Sequence, residues 1–140
     1  MAEIIFSDMI KNIGREKDFL VLSRATSTEE LGNPIYPPAR AELSKHGFSS
    51  DGKYAVQLEA SDYDKYDVFI GMDSANVRNM NRIFGGDPQN KIKKLMEFTA
   101  RGGDVADPWY TGRFDITYRD ICEGCAALLK TVDNIYKSVF

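Results

Sequence analysis

Residues 66–76, YDVFIGMDSAN, hold the decision about the fold. Their apolar run, Tyr66 to Met72, is short and reads as a strand. Asp73 and Ser74 follow at once, and either can cap a helix by accepting a backbone N–H from its first turn. The helical pattern then runs to Ile83 and stops at Gly85-Gly86, where glycine permits the left-handed turn that ends helices. Strand, cap and helix in immediate succession are half of a parallel-sheet crossover unit. Upstream, residues 2–13 place Ile5, Met9 and Ile13 at four-residue steps beside Phe6 and Ile10, an amphipathic helix stopped by Gly14. Residues 19–25 (FLVLSRA) are expected to form a second buried strand, ending in the polar loop of residues 26–33. Pro37 and Pro38 open a short helix over residues 39–46 that Gly47 closes.

Downstream, residues 91–98 (KIKKLMEF) fit neither period cleanly, and a strand near the end of the segment is favoured. Residues 101–113 carry glycines and prolines and are expected to be a loop. A long final helix follows, with Tyr118, Ile121, Cys122, Cys125, Leu128, Leu129, Val132, Ile135, Tyr136 and Val139 in one stripe. Helices alternating with buried strands imply an α/β fold with a parallel sheet. Without repeats, linker or low-complexity tract, residues 1–140 read as one domain.

Composition narrows the function. The 140 residues are 43% apolar and 28% charged, with a net charge of −3 and no basic block, which argues against nucleic-acid binding or a membrane-surface role. Glu3 and Asp8 interrupt the N-terminal segment where a secretory signal needs basic and then apolar residues, so a cytoplasmic protein is expected. Two cysteines and one histidine supply neither a disulfide framework nor a four-coordinate zinc site. Nothing in the sequence calls for a cofactor.

Few side chains invite chemistry. Cys122 and Cys125 have Cys-x-x-Cys spacing, but they lie in the apolar stripe beyond the helix's first turn, where cysteine acts as a small hydrophobe. His46 closes a helix, where an imidazolium favours the negative end of the dipole. Arg78 and Arg82, one turn apart, read as a solvated face among Asn76, Asn79 and Asn81. Asp107-Pro108-Trp109-Tyr110 is different: it joins a proton carrier to a flat aromatic wall in a glycine-rich loop, a place for an aromatic substrate to dock.

That tetrapeptide, with Ala2-Glu3, Val21-Leu22-Ser23-Arg24-Ala25-Thr26-Ser27, Leu31-Gly32-Asn33-Pro34, Lys45-His46-Gly47 and YDVFIGMDSAN, resembles low molecular weight protein tyrosine phosphatases in order and spacing across about residues 1 to 130. The resemblance implies a three-layer α/β/α fold. In it a parallel sheet carries a phosphate-binding loop, Cys-x5-Arg-Ser-Pro, between the first, central strand and the first helix. In that family an Ala-Glu pair like Ala2-Glu3 follows the loop almost directly. No Cys-x5-Arg occurs here: the sixth residue after Cys122 is Leu128, and after Cys125 it is Thr131. The chain is therefore expected to be an N-terminally truncated member, without the central strand and the nucleophile.

By resemblance Asp107 is the general acid, Trp109 and Tyr110 flank the substrate's ring, and Ser23 braces the phosphate-binding loop. Glu29 stands where relatives often carry an aromatic cleft residue. The implied partner is a phosphotyrosine protein or small aryl phosphate, hydrolysed through a cysteinyl phosphate when the N-terminal loop is present; the chain as written is expected to be inactive. The alternative is a non-catalytic, phosphatase-like binding or regulatory protein. The related thiol-coupled arsenate reductases need resolving cysteines in mid-chain, and none precedes Cys122. Losing a central strand forfeits the burial of several apolar side chains, roughly 10 kcal/mol, against about 5 to 15 for a whole domain. A gap of that size is expected to leave the sheet loose or to be filled by a second copy in a homo-oligomer.

Overall fold

Phe69, Ile70 and Gly71 alternate across the sheet, so one apolar run feeds two cores. A computed structural model describes residues 1–27, 36–108 and 112–139, with side chains through residue 132. Strand β1 (Phe69–Gly71) pairs in parallel with β2 (Ile92–Lys94), Phe69 opposite Ile92 and Gly71 opposite Lys94. Helices α1 (Ala2–Asn12), α2 (Pro37–Lys45) and α4 (Phe114–Val139) share one core, built on Ile5, Leu43, Leu95, Ile121, Cys125 and Leu128, with Ile70 and Met72 packed against it. Helix α3 (Ser74–Phe84) covers the other face, where Met80 meets Phe69, Ile92 and Leu58. This is the three-layer α/β/α arrangement with a parallel sheet that the sequence implies.

The α3 boundaries follow the expected chemistry. Asp73 caps it by accepting the Asn76 N–H at 2.8 Å, and Gly85 ends it in the left-handed conformation at φ 71°. Helix α4 starts at Phe114, a turn earlier than its apolar stripe shows, because Asp115 and Thr117 begin it with polar residues. Ile121, Cys125 and Leu128 are buried as the stripe requires, and Cys122 is half-buried. Residues 133–139 continue the helix with side chains outside the described residues.

Two strand expectations are corrected. Residues 19–24 form no ladder; only Ala25 makes a bridge, parallel to Gln57, through Ala25 N to the Val56 carbonyl at 2.7 Å and Leu58 N to the Ala25 carbonyl at 2.9 Å. A buried strand needs a neighbour, and none of the described residues supplies one, so Leu20 stands 75% exposed and Leu22 45%. In residues 91–98 the strand stands at the start, Ile92–Lys94, and not near the end, where Leu95–Phe98 turns as a 3₁₀ helix that buries Leu95 and Met96 against α4. Both periods are present in succession, which is why neither fits the whole.

Two contacts fix the layers. Gly124 lets α4 approach the Leu95–Phe98 turn: a Cβ there would stand 2.5 Å from Leu95 Cγ. Asp87 ties the entry of β2, its carboxylate accepting from the Tyr63 hydroxyl at 2.6 Å and from the Lys91 and Ile92 amides at 2.7 and 3.0 Å. Burial pushes the Asp87 pKa up, but these hydrogen bonds and nearby Lys93 outweigh it and hold the carboxyl below its ordinary value.

Gly124→Ala should therefore destabilise the protein by about 1 to 2 kcal/mol, the overpacking of Leu95 exceeding the helix propensity gained; urea denaturation measures it. A carboxyl depressed on folding stabilises fully above its unfolded pKa and ceases to do so as pH falls through the folded value. Asp87→Asn should thus be less stable than the parent at pH 7 and lose less stability on acidification below about pH 4. Thermal denaturation curves that stay parallel for the two proteins across that range would contradict it.

Candidate active site

The C-terminal ends of parallel strands collect the polar groups in this chain, as open α/β sheets generally place their ligand crevices there. Met72, just past β1, accepts the Val105 N–H on its carbonyl at 2.9 Å and donates its own N–H to the Asn76 side chain at 2.9 Å. The loop after Phe98 is so brought to the start of α3. Asp104 secures it, its carboxylate accepting from Lys94 Nζ at 2.9 Å and from the Ser74 hydroxyl at 3.2 Å. The Lys94 hydrogen bond is the main cause that holds the Asp104 carboxyl below its ordinary pKa, against the effect of burial.

A second clamp holds the same loop from α4. Asp120 is 2% exposed and accepts from the Arg101 guanidinium at 2.8 Å and from the Ala106 N–H at 3.0 Å. Thr117, one turn earlier, donates its hydroxyl to the Ala106 carbonyl at 2.9 Å. Both backbone groups of Ala106 are thus fixed by α4, and the next residue is Asp107, which is exposed. Asp107 therefore projects from a backbone held on two sides. Trp109 and Tyr110 lie outside the described residues, as do Glu29 and the Leu31-Gly32-Asn33-Pro34 segment.

The opposite wall comes from residues 23–26. Ser23 is exposed, and its backbone N–H donates to the Glu3 carboxylate at 3.1 Å, the other oxygen of which pairs with Lys53 at 2.8 Å. The start of α1 is thereby tied to this segment. Thr26 lies across from α3, its hydroxyl oxygen accepting at 3.4 Å from the side-chain amides of both Asn76 and Asn79. Ser23 and Glu3, Thr26 and Asn76, and the loop leading to Asp107 thus border one end of the sheet. Between residues 19–24 and β1 no described residue completes a ladder.

The other candidates are structural. His46 stacks on Tyr118 at 3.8 Å and touches Glu42 at 3.3 Å. Burial pushes the Cys125 thiol up to about 12 and raises the Cys122 thiol as well, which keeps both protonated and unreactive. Among the described residues no group of three or more His, Cys, Asp or Glu side chains is placed to hold a metal, and no helix is long and apolar enough to cross a membrane.

Residues 1–138 match the family model described as low molecular weight phosphotyrosine protein phosphatase. The chain belongs to that family. It is 32% identical over 136 residues to the low molecular weight protein-tyrosine-phosphatase YfkJ of Bacillus subtilis, covering 96% of this chain and 87% of YfkJ. The crystal structure of YfkJ superposes with a TM-score of 0.89 over 95% of this chain and 85% of that one, at 31% identity. A low molecular weight protein tyrosine phosphatase from Streptococcus pyogenes, SP-PTP, superposes at 0.80 with 32% identity, over 93% and 81% of the two chains.

Asp120, Arg101 and Thr117 are the residues that sequence reading passed over. A carboxylate beside Ile121 in an apolar helical stripe is the available signal, since a buried charge demands partners. Asp120→Ala should cost about 1 to 3 kcal/mol by orphaning the Ala106 N–H and freeing the loop. It should also speed tryptic cleavage after Arg101 in the folded protein; a cleavage rate equal to the parent's would contradict the clamp.

Proposed function

We propose that this chain forms the acid half of a tyrosine phosphatase active site and hydrolyses aryl phosphate esters once a strand bearing Cys-x5-Arg occupies the space between residues 19–24 and β1. One observation carries the reading: Asp107 follows a backbone clamped at the open end of the sheet by Met72, Asp104 and Asp120, beside a ladder that lacks a neighbour. A carboxyl group so held can deliver a proton to a fixed point, which is what general acid catalysis requires.

The chemistry divides between the two parts. The cysteine thiolate of the added loop attacks phosphorus in line with the departing oxygen, forming an S–P bond as the P–O bond to the tyrosine ring breaks. The loop's N–H groups and arginine hold the phosphoryl oxygens. Asp107 supplies its proton to the leaving phenolate oxygen. As a carboxylate it then takes a proton from the water that attacks the cysteinyl phosphate, which restores the thiolate and releases phosphate. Trp109 and Tyr110 would border the ring of the substrate, and Ser23 would brace the loop from the opposite wall. The reaction, as proposed, uses no cofactor, and the partner is a phosphotyrosine protein or a small aryl phosphate.

With no Cys-x5-Arg in these 140 residues, p-nitrophenyl phosphate should not be hydrolysed by the chain as written. Joining a strand and Cys-x5-Arg-Ser-Pro loop ahead of Ala2 should confer activity with a burst of product, and Asp107→Asn in that protein should lower kcat by about a hundredfold or more. An extended, folded protein that remains inactive would favour the non-catalytic binding role. Unchanged turnover in Asp107→Asn would place the acid elsewhere.

A further inference from the structure

Arg78 and Arg82 lie one turn apart on the exposed face of α3, and neither makes an ion pair among the described residues. Beside Arg78 a depression of about 300 Å³ opens between α3 and the edge strand β2. Its lining includes Lys93, Lys94 and the apolar Val77 and Ile92, with Glu97 as its carboxylate. Glu97 is turned toward the backbone, where it accepts the Lys94 N–H at 2.5 Å. Lys94 is paired with Asp104, whereas among the described residues Lys93 makes no ion pair and acts on Asp87 through its field. Arg78, Arg82 and Lys93 therefore leave a net positive edge on a protein whose overall charge is −3.

The place of this edge gives it a use. Ser74 and Lys94, both in the lining, are the two groups that hold Asp104, three residues before Asp107. Three residues span at most about 10 Å. An extended peptide advances about 3.3 Å per residue, so a side chain roughly three to five positions from a tyrosine docked at Asp107 would reach the depression. Three like-charged side chains along a helix and its neighbouring strand repel one another, and an anion between them relieves that repulsion.

We infer that the α3–β2 edge, with Arg78, Arg82 and Lys93, is a docking surface for acidic residues of a peptide substrate flanking the target tyrosine. The assignment of a tyrosine to Asp107 rests on the function proposed above; the docking surface itself does not need the reaction. Contacts of this kind are exposed, so each is weak and screened by salt, and they select among substrates through the sum of several charges.

The test uses the chain as it stands and two fluorescein-labelled peptides, one with four consecutive glutamates and its glutamine counterpart, followed by fluorescence anisotropy. The glutamate peptide should bind more tightly than the glutamine one, and weaken as salt is raised from about 0.05 to about 0.3 M. The double variant Arg78→Gln, Arg82→Gln, with both side chains on the surface and circular dichroism to confirm folding, should weaken it about fivefold or more. Arg40→Gln, on α2, should leave binding unchanged. Equal or undetectable binding of the two peptides, or undiminished binding by the double variant, would overturn the proposal. Neither peptide carries phosphate, so a failed phosphatase assay leaves this result standing, and a failed binding assay leaves the hydrolysis reading standing.

Discussion

Three residue pairs join the layers of this domain: Phe69 with Ile92, Ile70 with Lys93, and Gly71 with Lys94. A parallel ladder buries both of its faces and so must be covered by helices on each side. Phe69 and Ile92 point into the core under α3, while Ile70 enters the core shared by α1, α2 and α4. Everything else hangs from that ladder. The loop to Asp107 is stitched to the end of β1 through Met72, α3 begins three residues past β1, and the Leu95–Phe98 turn follows β2 directly into contact with Gly124. A ladder of three pairs is short for so many dependents, and residues 19–24 have no strand partner among the described residues.

The loop leading to Asp107 shows how an exposed residue can be held through the backbone before it. Asp107 is exposed, but the residues before it bond in succession to three elements: Asp104 to Lys94 and Ser74, Val105 to Met72, and Ala106 to Asp120 and Thr117. The backbone that leads to Asp107 is thereby fixed while Asp107 itself stays exposed, which is what the proposed role as a general acid asks of it. The same Lys94 and Ser74 border the cationic edge of α3 and β2, so a peptide bound there would touch the residues that hold the loop.

Much of the fold is legible in the sequence. The run Tyr66 to Met72 with Asp73 behind it points to strand, cap and helix, because a short apolar stretch and a side-chain cap are local features. Asp107 stands out in the sequence by its aromatic neighbours and by resemblance, and its role is the proposal made above. What could not be read was long-range. Residues 19–25 have the composition of a buried strand, but pairing depends on a neighbour that composition does not reveal. Residues 91–98 change period at Lys94, and a change of period inside eight residues defeats a pattern search. Arg101 and Asp120 are nineteen positions apart, and only the fold brings their side chains to 2.8 Å.

The central claim is that the sheet has an open position between residues 19–24 and β1, and that filling it completes the site. Amide hydrogen exchange at Leu20, Leu22, Val68 and Ile70 tests it most directly, measured on the chain alone and on the chain extended by a strand and Cys-x5-Arg loop. The amides of Leu20 and Leu22 should exchange rapidly in the chain alone, and all four should become protected in the extended protein, as ladder hydrogen bonds require. Protection of Leu20 and Leu22 in the chain alone, with the protein monomeric by light scattering, would mean that those residues already pair, and would contradict the account.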